Sequence, residues 1–311
     1  METLLLESSR DIFTRVAGAA PELGERLFDT LSARFDRQST TWKHTTDNKA
    51  PGREIQAIFD RATVDMDVDR KQALARFFCA KMALDMLRRI PIENLPDSVL
   101  SYYPAEFDRL AQRLQAFSQG QEKQGDNLLG RVIRFLLCLT VPCGAQDLDL
   151  TERVPLTSAL MAIQRERSLR SLIFYIRCFG TGIWLRPHTN TSRLDEFNET
   201  GWDQFYLRVA EILTRREHVR GLALTSWFYD PVLLKISPRL AYLQTRPQER
   251  GAHLMKHGSS DHTIEFATST SETRRSLYEN GEYMPTEYSI LWARIDLLTW
   301  AEQQRGHAAL R

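Results

Sequence analysis

The chain has 311 residues, of which 42% are hydrophobic and 26% are charged, and this length suits one large domain or two ordinary ones. Lys and Arg together number 41 and Asp and Glu number 40, so the basic excess that nonspecific nucleic-acid binding requires is absent. The composition predicts a globular protein and argues against a general nucleic-acid binder.

The sequence also argues against secretion and membrane insertion. The N-terminal segment METLLLESSRDIF has no basic region and a short apolar run, unlike a signal peptide. The longest apolar stretch, VIRFLLCLTVPC, is broken by Arg134 and ended by Pro142, far short of the ~20 residues that span a bilayer. Three of the four cysteines lie in apolar runs, where they behave as small buried hydrophobes. We expect a cytoplasmic protein with reduced cysteines.

The N-terminal half has the apolar spacing of helices. We expect one of them to end at Arg89, because Pro91 follows. The polar stretch SQGQEKQGDN indicates a linker. The predicted helices cover 55–62, 70–89, 98–117 (with a new start at Pro104) and 127–139, and the linker covers 118–127. Residues 1–165 are therefore predicted to form an all-helical domain.

The pattern changes in the C-terminal half. Residues 168–186 are rich in aromatic and β-branched residues, which fits either a strand or a buried helix. Residues 202–216 form an amphipathic helical pattern, and 220–229 form a buried strand pattern. Further strands are expected at 251–257 and 287–294, with helices after Asp230-Pro231 and Ser237-Pro238, over 261–281, and at the C-terminus. This alternation predicts an α/β domain over 166–311, and an α+β fold for the whole chain.

The motif SWFYDP (226–231) lies where a predicted strand ends and a helix begins. Ligands of α/β sheets bind outside the carboxyl ends of strands, where helix N-termini offer N–H groups to anions. We therefore expect Trp227 and Tyr229 to line a pocket while Phe228 faces the core, with backbone amides near Asp230 and Ser237 holding the polar end of a ligand. The alternative is that the aromatic side chains fill the interface between sheet and helix and that Asp230 caps the helix.

Two residues are candidates for proton transfer. Tyr278, in RRSLYENGEY, follows two arginines near the end of a predicted helix; the alternative is that it packs on the sheet. His188, in LRPHTNTSRLDEF, is a candidate base with Asp195 near it in sequence. Its alternative role is to cap the local backbone.

A metal site is the weaker hypothesis. His253, His257 and His262 are close in sequence, but on a strand the first two would lie roughly 13 Å apart, too far for one ion. We expect no metal, and a metal-dependent enzyme is a minor alternative. The sequence contains neither a GxSxG elbow, nor a Walker loop, nor a GxGxxG fingerprint.

Two resemblances extend these patterns. The strings HTNTSRLDEFNETGWDQFYLRVAEIL, SWFYDPVLLKISPRLAYL and RRSLYENGEYMPTEY are similar to a family of bacterial proteins to which no activity is assigned. The order of C-terminal elements resembles the GNAT-like acyl-CoA N-acyltransferase fold, in which a central strand leads into a cofactor-binding helix.

The GNAT-like resemblance implies roles for particular residues. GLALTSWFY would be the central strand, and the helix near 238–246, with Arg239, would face the pyrophosphate of an acyl-CoA. Tyr278, in the segment of Leu277, Glu279 and Gly281, would be the general acid for the thiolate. The sequence departs from the family at its glycine-rich loop, since DPVLLKISP stands in its place, and without glycines a backbone does not close tightly on a pyrophosphate.

Three hypotheses about function follow. In the first, the chain transfers an acyl group to a small amine-type acceptor, which His188 and the helical part recognise. In the second, it is a non-catalytic GNAT-like module that binds a ligand or a protein through the SWFYDP face, as the missing glycine loop favours. The third is the metal-dependent enzyme.

Overall fold

The fold is described from a computed structural model, which describes residues 50–118 and 128–309 together with Glu25, Phe28 and Asp29. The predicted linker at 118–127 lies almost entirely outside these residues. The chain divides into two compact units, Met1–Cys143 and Gly144–Arg311. The boundary predicted near residue 165 falls within a helix of the second unit, Leu156–Glu166.

In the first unit, the described elements are mostly helical, as the apolar spacing predicts. They are α1 (Ala50–Ala62), α2 (Val68–Glu93), α3 (Asp97–Leu100), α4 (Tyr103–Ser118), α5 (Leu128–Leu136) and a short strand β1 (Thr140–Pro142). Helix α2 continues through Pro91, where we expected it to stop. Proline lacks the N–H donor and crowds the carbonyl of the preceding turn, and α2 accordingly ends at Glu93, two residues beyond Pro91. Burial raises the pKa of the Cys79 thiol in α2 to about 12.

The second unit alternates helices and strands. Its elements are β2 (Gln146–Arg153), α6 (Leu156–Glu166), α7 (Arg170–Arg177), β3 (Ile183–Thr189), α8 (Glu199–Arg215), β4 (Val219–Ser226), α9 (Leu233–Ile236), α10 (Tyr242–Glu249), β5 (His253–Gly258), α11 (Asp261–Thr268), α12 (Glu272–Glu279), β6 (Glu287–Ala293) and α13 (Arg294–Ala309). Short 3₁₀ turns cover Thr191–Glu196, Trp227–Tyr229 and Pro238–Leu240. The chain is therefore an α+β protein.

Two segments differ from the sequence-based expectations. The segment 168–186 contains both alternatives, since α7 is followed by β3. Strand β2 was not predicted, because its sequence QDLDLTER is mostly polar. Its alternation places Leu148 and Leu150 on one face and Asp147 and Asp149 on the other.

The strands of Gly144–Arg311 form a mixed sheet in the order β2-β3-β4-β6-β5. Strands β3 and β4 are parallel neighbours, and the other neighbouring pairs in this order are antiparallel. Helix α8 connects β3 to β4, which fits the crossover that parallel neighbours need. The strand direction therefore alternates from neighbour to neighbour except between β3 and β4, near the centre of the sheet.

Helices cover both faces of the sheet. On one face, Trp184, Ala223, Met255 and Leu291 pack with residues of α6 and α7. On the other face lies an aromatic cluster of Tyr206, Trp292 and Trp300, in which the Trp292 ring centroid lies 5.1 Å from that of Tyr206 and 5.5 Å from that of Trp300. Among the residues that the structure describes, no helix has both the length and the apolar composition needed to cross a membrane.

Candidate functional site

The two parallel strands separate towards their carboxyl ends. Their last paired positions are Leu185 and Leu222. Strand β3 nevertheless stays paired with β2 as far as Thr189, and β4 stays paired with β6 as far as Ser226. The sheet thus splits into two halves, and the facing backbone edges beyond Leu185 and Leu222 do not pair with each other.

A cleft of about 150 Å³ lies at this split. It is lined by the ends of β3 and β4, the start of β2, one side chain of α8 and the turn after β4: Gln146, Pro187, His188, Thr189, Trp202, Thr225, Ser226, Phe228 and Tyr229. No Lys, Arg, Asp or Glu belongs to this lining. The volume is below the roughly 300–1,000 Å³ of pockets that enclose drug-sized ligands, so the cleft suits a narrow group or an extended arm.

His188 lies in the cleft with a buried carboxylate beside it. Its Nε2 is 2.8 Å from Oδ2 of Asp149, and the Asp149 side chain is only 5% exposed. Asp147 is the residue directly opposite His188 on β2, so Asp149 is its diagonal neighbour on the same face. An imidazole that donates from Nε2 to a carboxylate keeps its lone pair on Nδ1, where it can accept a proton.

A second polar chain leads from the cleft across the other half of the sheet. The hydroxyls of Thr225 and Ser289 are 2.6 Å apart, and Nε2 of His257 lies 2.6 Å from the Ser289 hydroxyl. Burial, together with the positive charges of Arg165 and Arg186, lowers the pKa of His257 from 6.5 to about 4. His257 is therefore neutral at pH 7 and holds the Thr225 hydroxyl in place through Ser289.

The low pKa of His257 makes stability depend on pH. In the unfolded chain the imidazole takes up a proton near pH 6.5, whereas in the folded protein it does so only near pH 4. Acid therefore favours the unfolded state within this window. We expect the wild type to lose about 2 to 3 kcal/mol more stability than His257→Gln between pH 7 and pH 4.

Urea unfolding at a series of pH values measures this difference. Glutamine keeps a polar partner for Ser289 but does not titrate, and the other ionisable groups are common to both proteins. Equal slopes of stability against pH in the two proteins contradict the assignment.

The start of α8 fixes the position of Trp202. Asn198 caps the helix by accepting a hydrogen bond of 3.0 Å from the amide of Gly201. A Cβ on Gly201 would lie 1.9 Å from the carbonyl oxygen of Glu196, so glycine permits the 3₁₀ turn to approach the helix. The first turn carries Glu199 and the next turn begins with Asp203, and both carboxylates pair with Arg246 of α10.

The aromatic residues of SWFYDP separate from one another. The sequence suggested that Trp227 and Tyr229 line the pocket, and the structure places Phe228 and Tyr229 in the cleft lining. Trp227 instead packs with Leu233, Ala267 and Tyr283. Burial raises the pKa of Tyr229 well above its ordinary value, so this phenol is neutral.

Asp230 of this motif and the nearby Ser237 form hydrogen bonds within the protein. Asp230 accepts hydrogen bonds of 3.1 Å from the amides of Val232 and Thr286, and burial raises the pKa of its carboxyl above the usual range. The hydroxyl of Ser237 accepts a hydrogen bond from Arg274, whose guanidinium stacks 4.6 Å from the ring centroid of Trp227. These contacts are the capping and packing roles that the sequence left as alternatives.

The remaining predicted residues lie away from the cleft lining. Arg239 is exposed in the 3₁₀ turn Pro238–Leu240, and Tyr278 is half-buried near the end of α12. Asp195, the sequence neighbour of His188, is exposed, and Asp149 occupies the position beside the imidazole instead. The roles proposed for Arg239 and Tyr278 stay predictions.

The histidines that suggested a metal have other partners. His253 stacks on the ring of Phe174 and forms a hydrogen bond with the Ser171 hydroxyl. The ring of His262 contacts that of Phe266 in a tilted arrangement. Within residues 50–118 and 128–309, no group of three or more His, Cys, Asp or Glu side chains is arranged to hold a metal ion.

Sequence reasoning missed four residues of this region: Gln146, Asp149, Trp202 and Thr225. The alternation in QDLDL is a signal for a strand with two carboxylates on one face. Trp202 was recognised only as part of an apolar stripe. No signal in the sequence pairs Asp149 with His188, since that contact depends on the register of β2 and β3.

Comparisons with known proteins do not assign the chain to a family. No protein-family model matches the chain, and no curated protein matches it either. The chain is similar to the crystal structure of an acyltransferase mutant in complex with octanoyl-CoA, with 14% identity and a TM-score of 0.44, over 92% of this chain and 88% of that one. A TM-score below 0.5 does not establish a common fold.

Proposed function

We propose that the chain transfers an acyl group from a thioester to a small amine-type acceptor, with His188 as the general base. The observation that carries the proposal is the hydrogen bond between His188 and buried Asp149 at a cleft between two diverging parallel strands. A base that is oriented by a carboxylate and adjoins a narrow opening suits the removal of a proton from an attacking amine.

The reaction balances with the groups present. Nδ1 of His188 accepts a proton from the amine as its nitrogen attacks the thioester carbonyl. The carbon–sulfur bond then breaks, and the products are an amide and a thiol. The thiolate needs a proton as it leaves, and the resemblance to the GNAT-like fold assigns that role to Tyr278. Tyr278 does not belong to the cleft lining, so this role requires the thiolate to reach α12.

The shape of the cleft suits an extended acyl donor. The edges of β3 and β4 that face each other carry backbone N–H and C=O groups that do not pair across the gap, and such edges bind extended chains through main-chain hydrogen bonds. The pantetheine arm of an acyl-CoA is a chain of this kind, with amide groups along its length. Proline at position 187 removes one donor from the β3 edge.

The start of α8 is less favourable for the nucleotide of an acyl-CoA than the cleft is for its pantetheine arm. In the GNAT-like arrangement the helix after a central strand faces the pyrophosphate. In this chain, α8 is the helix that joins the parallel neighbours β3 and β4; it precedes β4, whereas the helix near 238–246 that the sequence suggested follows β4. Glu199 in the first turn of α8, with Asp203 just after it, disfavours a phosphate there, and Arg246 offsets only part of the charge of these two carboxylates.

Acyl donors with and without the nucleotide test the proposal. The purified chain is mixed with acetyl-CoA, longer acyl-CoAs and the matching N-acetylcysteamine thioesters, together with a panel of primary amines. We expect amide formation by mass spectrometry, with one thiol released per amide. A donor at 100 times its Kd is expected to stabilise the protein by about 2.7 kcal/mol in thermal unfolding. If no thioester stabilises the protein and no amide forms, the proposal is wrong.

A non-catalytic binding module is the second candidate. The acidic turn at the start of α8 and the absent glycine loop favour it over an acyl-CoA enzyme. In the same experiment this candidate predicts stabilisation by a ligand without amide or thiol as products.

A further inference from the structure

The walls of the cleft contain two buried hydrogen-bond donors. Nε1 of Trp202 and Nε2 of Gln146 are both buried, and neither finds a hydrogen-bond partner among the residues that the structure describes. Trp202 is 3% exposed and Gln146 is 2% exposed, and both residues line the cleft. Leaving a buried donor unsatisfied costs about 1 to 3 kcal/mol, so such groups in native proteins need a reason.

Both donors lie on the opposite face of the sheet from His188. On β2, Gln146 precedes Asp147, which is paired directly with His188, and consecutive strand residues point to opposite faces. Helix α8, which carries Trp202, covers that opposite face, because Tyr206 of the same helix packs on Trp292. The cleft is therefore lined by a base on one face and by N–H donors on the other.

The position of Trp202 is fixed before any ligand binds. Its ring centroid lies 5.3 Å from that of Phe205, 5.5 Å from that of Tyr206 and 5.8 Å from that of Phe197. A donor held in this way loses little conformational entropy when an acceptor arrives. Indole nitrogen only donates, so the partner of Trp202 must be an acceptor atom.

The geometry points to a binding site for a carbonyl oxygen, in which Trp202 Nε1 and Gln146 Nε2 donate hydrogen bonds to the oxygen of the acyl group; this inference rests on the proposed acyl transfer. The lining contains neither Lys nor Arg, so it suits a neutral carbonyl better than a phosphate or carboxylate. The oxygen becomes negative when the amine attacks from the His188 face, and fixed N–H donors stabilise that charge.

Two substitutions test the site. Trp202→Phe keeps an aromatic ring beside Phe205 and Tyr206 but removes the N–H, and Gln146→Leu removes the amide at similar volume. Each is expected to lower kcat by about 10²- to 10³-fold while KM changes little, as for the loss of an oxyanion donor. Thermal unfolding verifies that the variants fold. If one of them does not fold, the other is enough to test the site. Unchanged kcat in a folded variant overturns the inference, even though acyl transfer by the wild type stands.

A binding experiment tests the site independently of turnover. Titration with N-methylacetamide, a small amide with one carbonyl oxygen, is followed by ¹H–¹⁵N NMR of the indole N–H groups. The signal missing in Trp202→Phe identifies Trp202. A saturable shift of that signal, lost in the folded Gln146→Leu variant, supports the carbonyl site even if no acyl transfer is found. A Trp202 signal that does not move, as expected for a donor bound to a trapped water, overturns it.

Discussion

Replacing His188 with glutamine is expected to lower kcat for acyl transfer by about 10²- to 10⁴-fold, because glutamine cannot take up the proton of the attacking amine. Asp149→Asn is expected to cause a loss in the same range, since an amide favours the imidazole tautomer with the proton on the wrong nitrogen. The hydrogen bond of 2.8 Å between these two residues is the basis of both expectations. The effect is measured by steady-state kinetics with a thioester and an amine from the panel that give an amide with the wild type.

The matched control is His218→Gln, which changes an exposed histidine outside the cleft lining and is expected to leave kcat unchanged. Circular dichroism and thermal unfolding establish that all three variants are folded. If His188→Gln retains the wild-type kcat, the chain does not use this imidazole as a base, and the binding-module hypothesis becomes the better account of the cleft.

Replacing Trp292 with alanine is expected to destabilise the protein by about 3 to 5 kcal/mol, as for other large-to-small changes in a packed core. The side chain of Trp292 is fully buried on β6 and contacts the rings of Tyr206 and Trp300. Its removal leaves a cavity between the sheet and the helices α8 and α13. Urea unfolding followed by circular dichroism measures the loss.

Phe266→Ala provides the comparison for Trp292→Ala. Phe266 is 55% exposed, so its loss is expected to change stability by no more than about 0.5 kcal/mol. Similar effects of the two substitutions contradict the assignment of Trp292 to the core of the sheet.

The long amphipathic segments of this chain are predictable from sequence. Helix α8 follows from its helical periodicity and strand β4 from a short apolar run, because burial determines most of their side chains. Strand β2 is harder to recognise, since Asp147 and Asp149 give it polar character. These carboxylates hydrogen-bond Asn190 and His188, so polar contacts and not apolar packing occupy this face of the strand.

The orientation of individual side chains is less predictable. The motif SWFYDP suggested that Trp227 and Tyr229 share a pocket, but a 3₁₀ turn rotates each residue by about 120°. Tyr229 lines the cleft, whereas Trp227 packs with Leu233, Ala267 and Tyr283. Likewise, the carboxylate nearest to His188 in sequence is Asp195, whereas the one beside it in space is Asp149. Pairing across strands depends on register, which a single sequence does not specify.

The order of strands also changes the interpretation of the resemblance. Sequence order placed a cofactor helix after β4, whereas the parallel neighbours are β3 and β4. Local patterns identify strands and helices, but they do not say which strands are neighbours.

The separation of β3 and β4 beyond Leu185 and Leu222 has a consequence for selectivity. The proposed acyl transfer therefore predicts that a donor is bound in this gap as an extra strand would be, and that the width of its chain matters more than the groups attached to it. Straight unbranched donors are expected to be better substrates than branched or ring-bearing ones, which would have to push the two halves of the sheet apart.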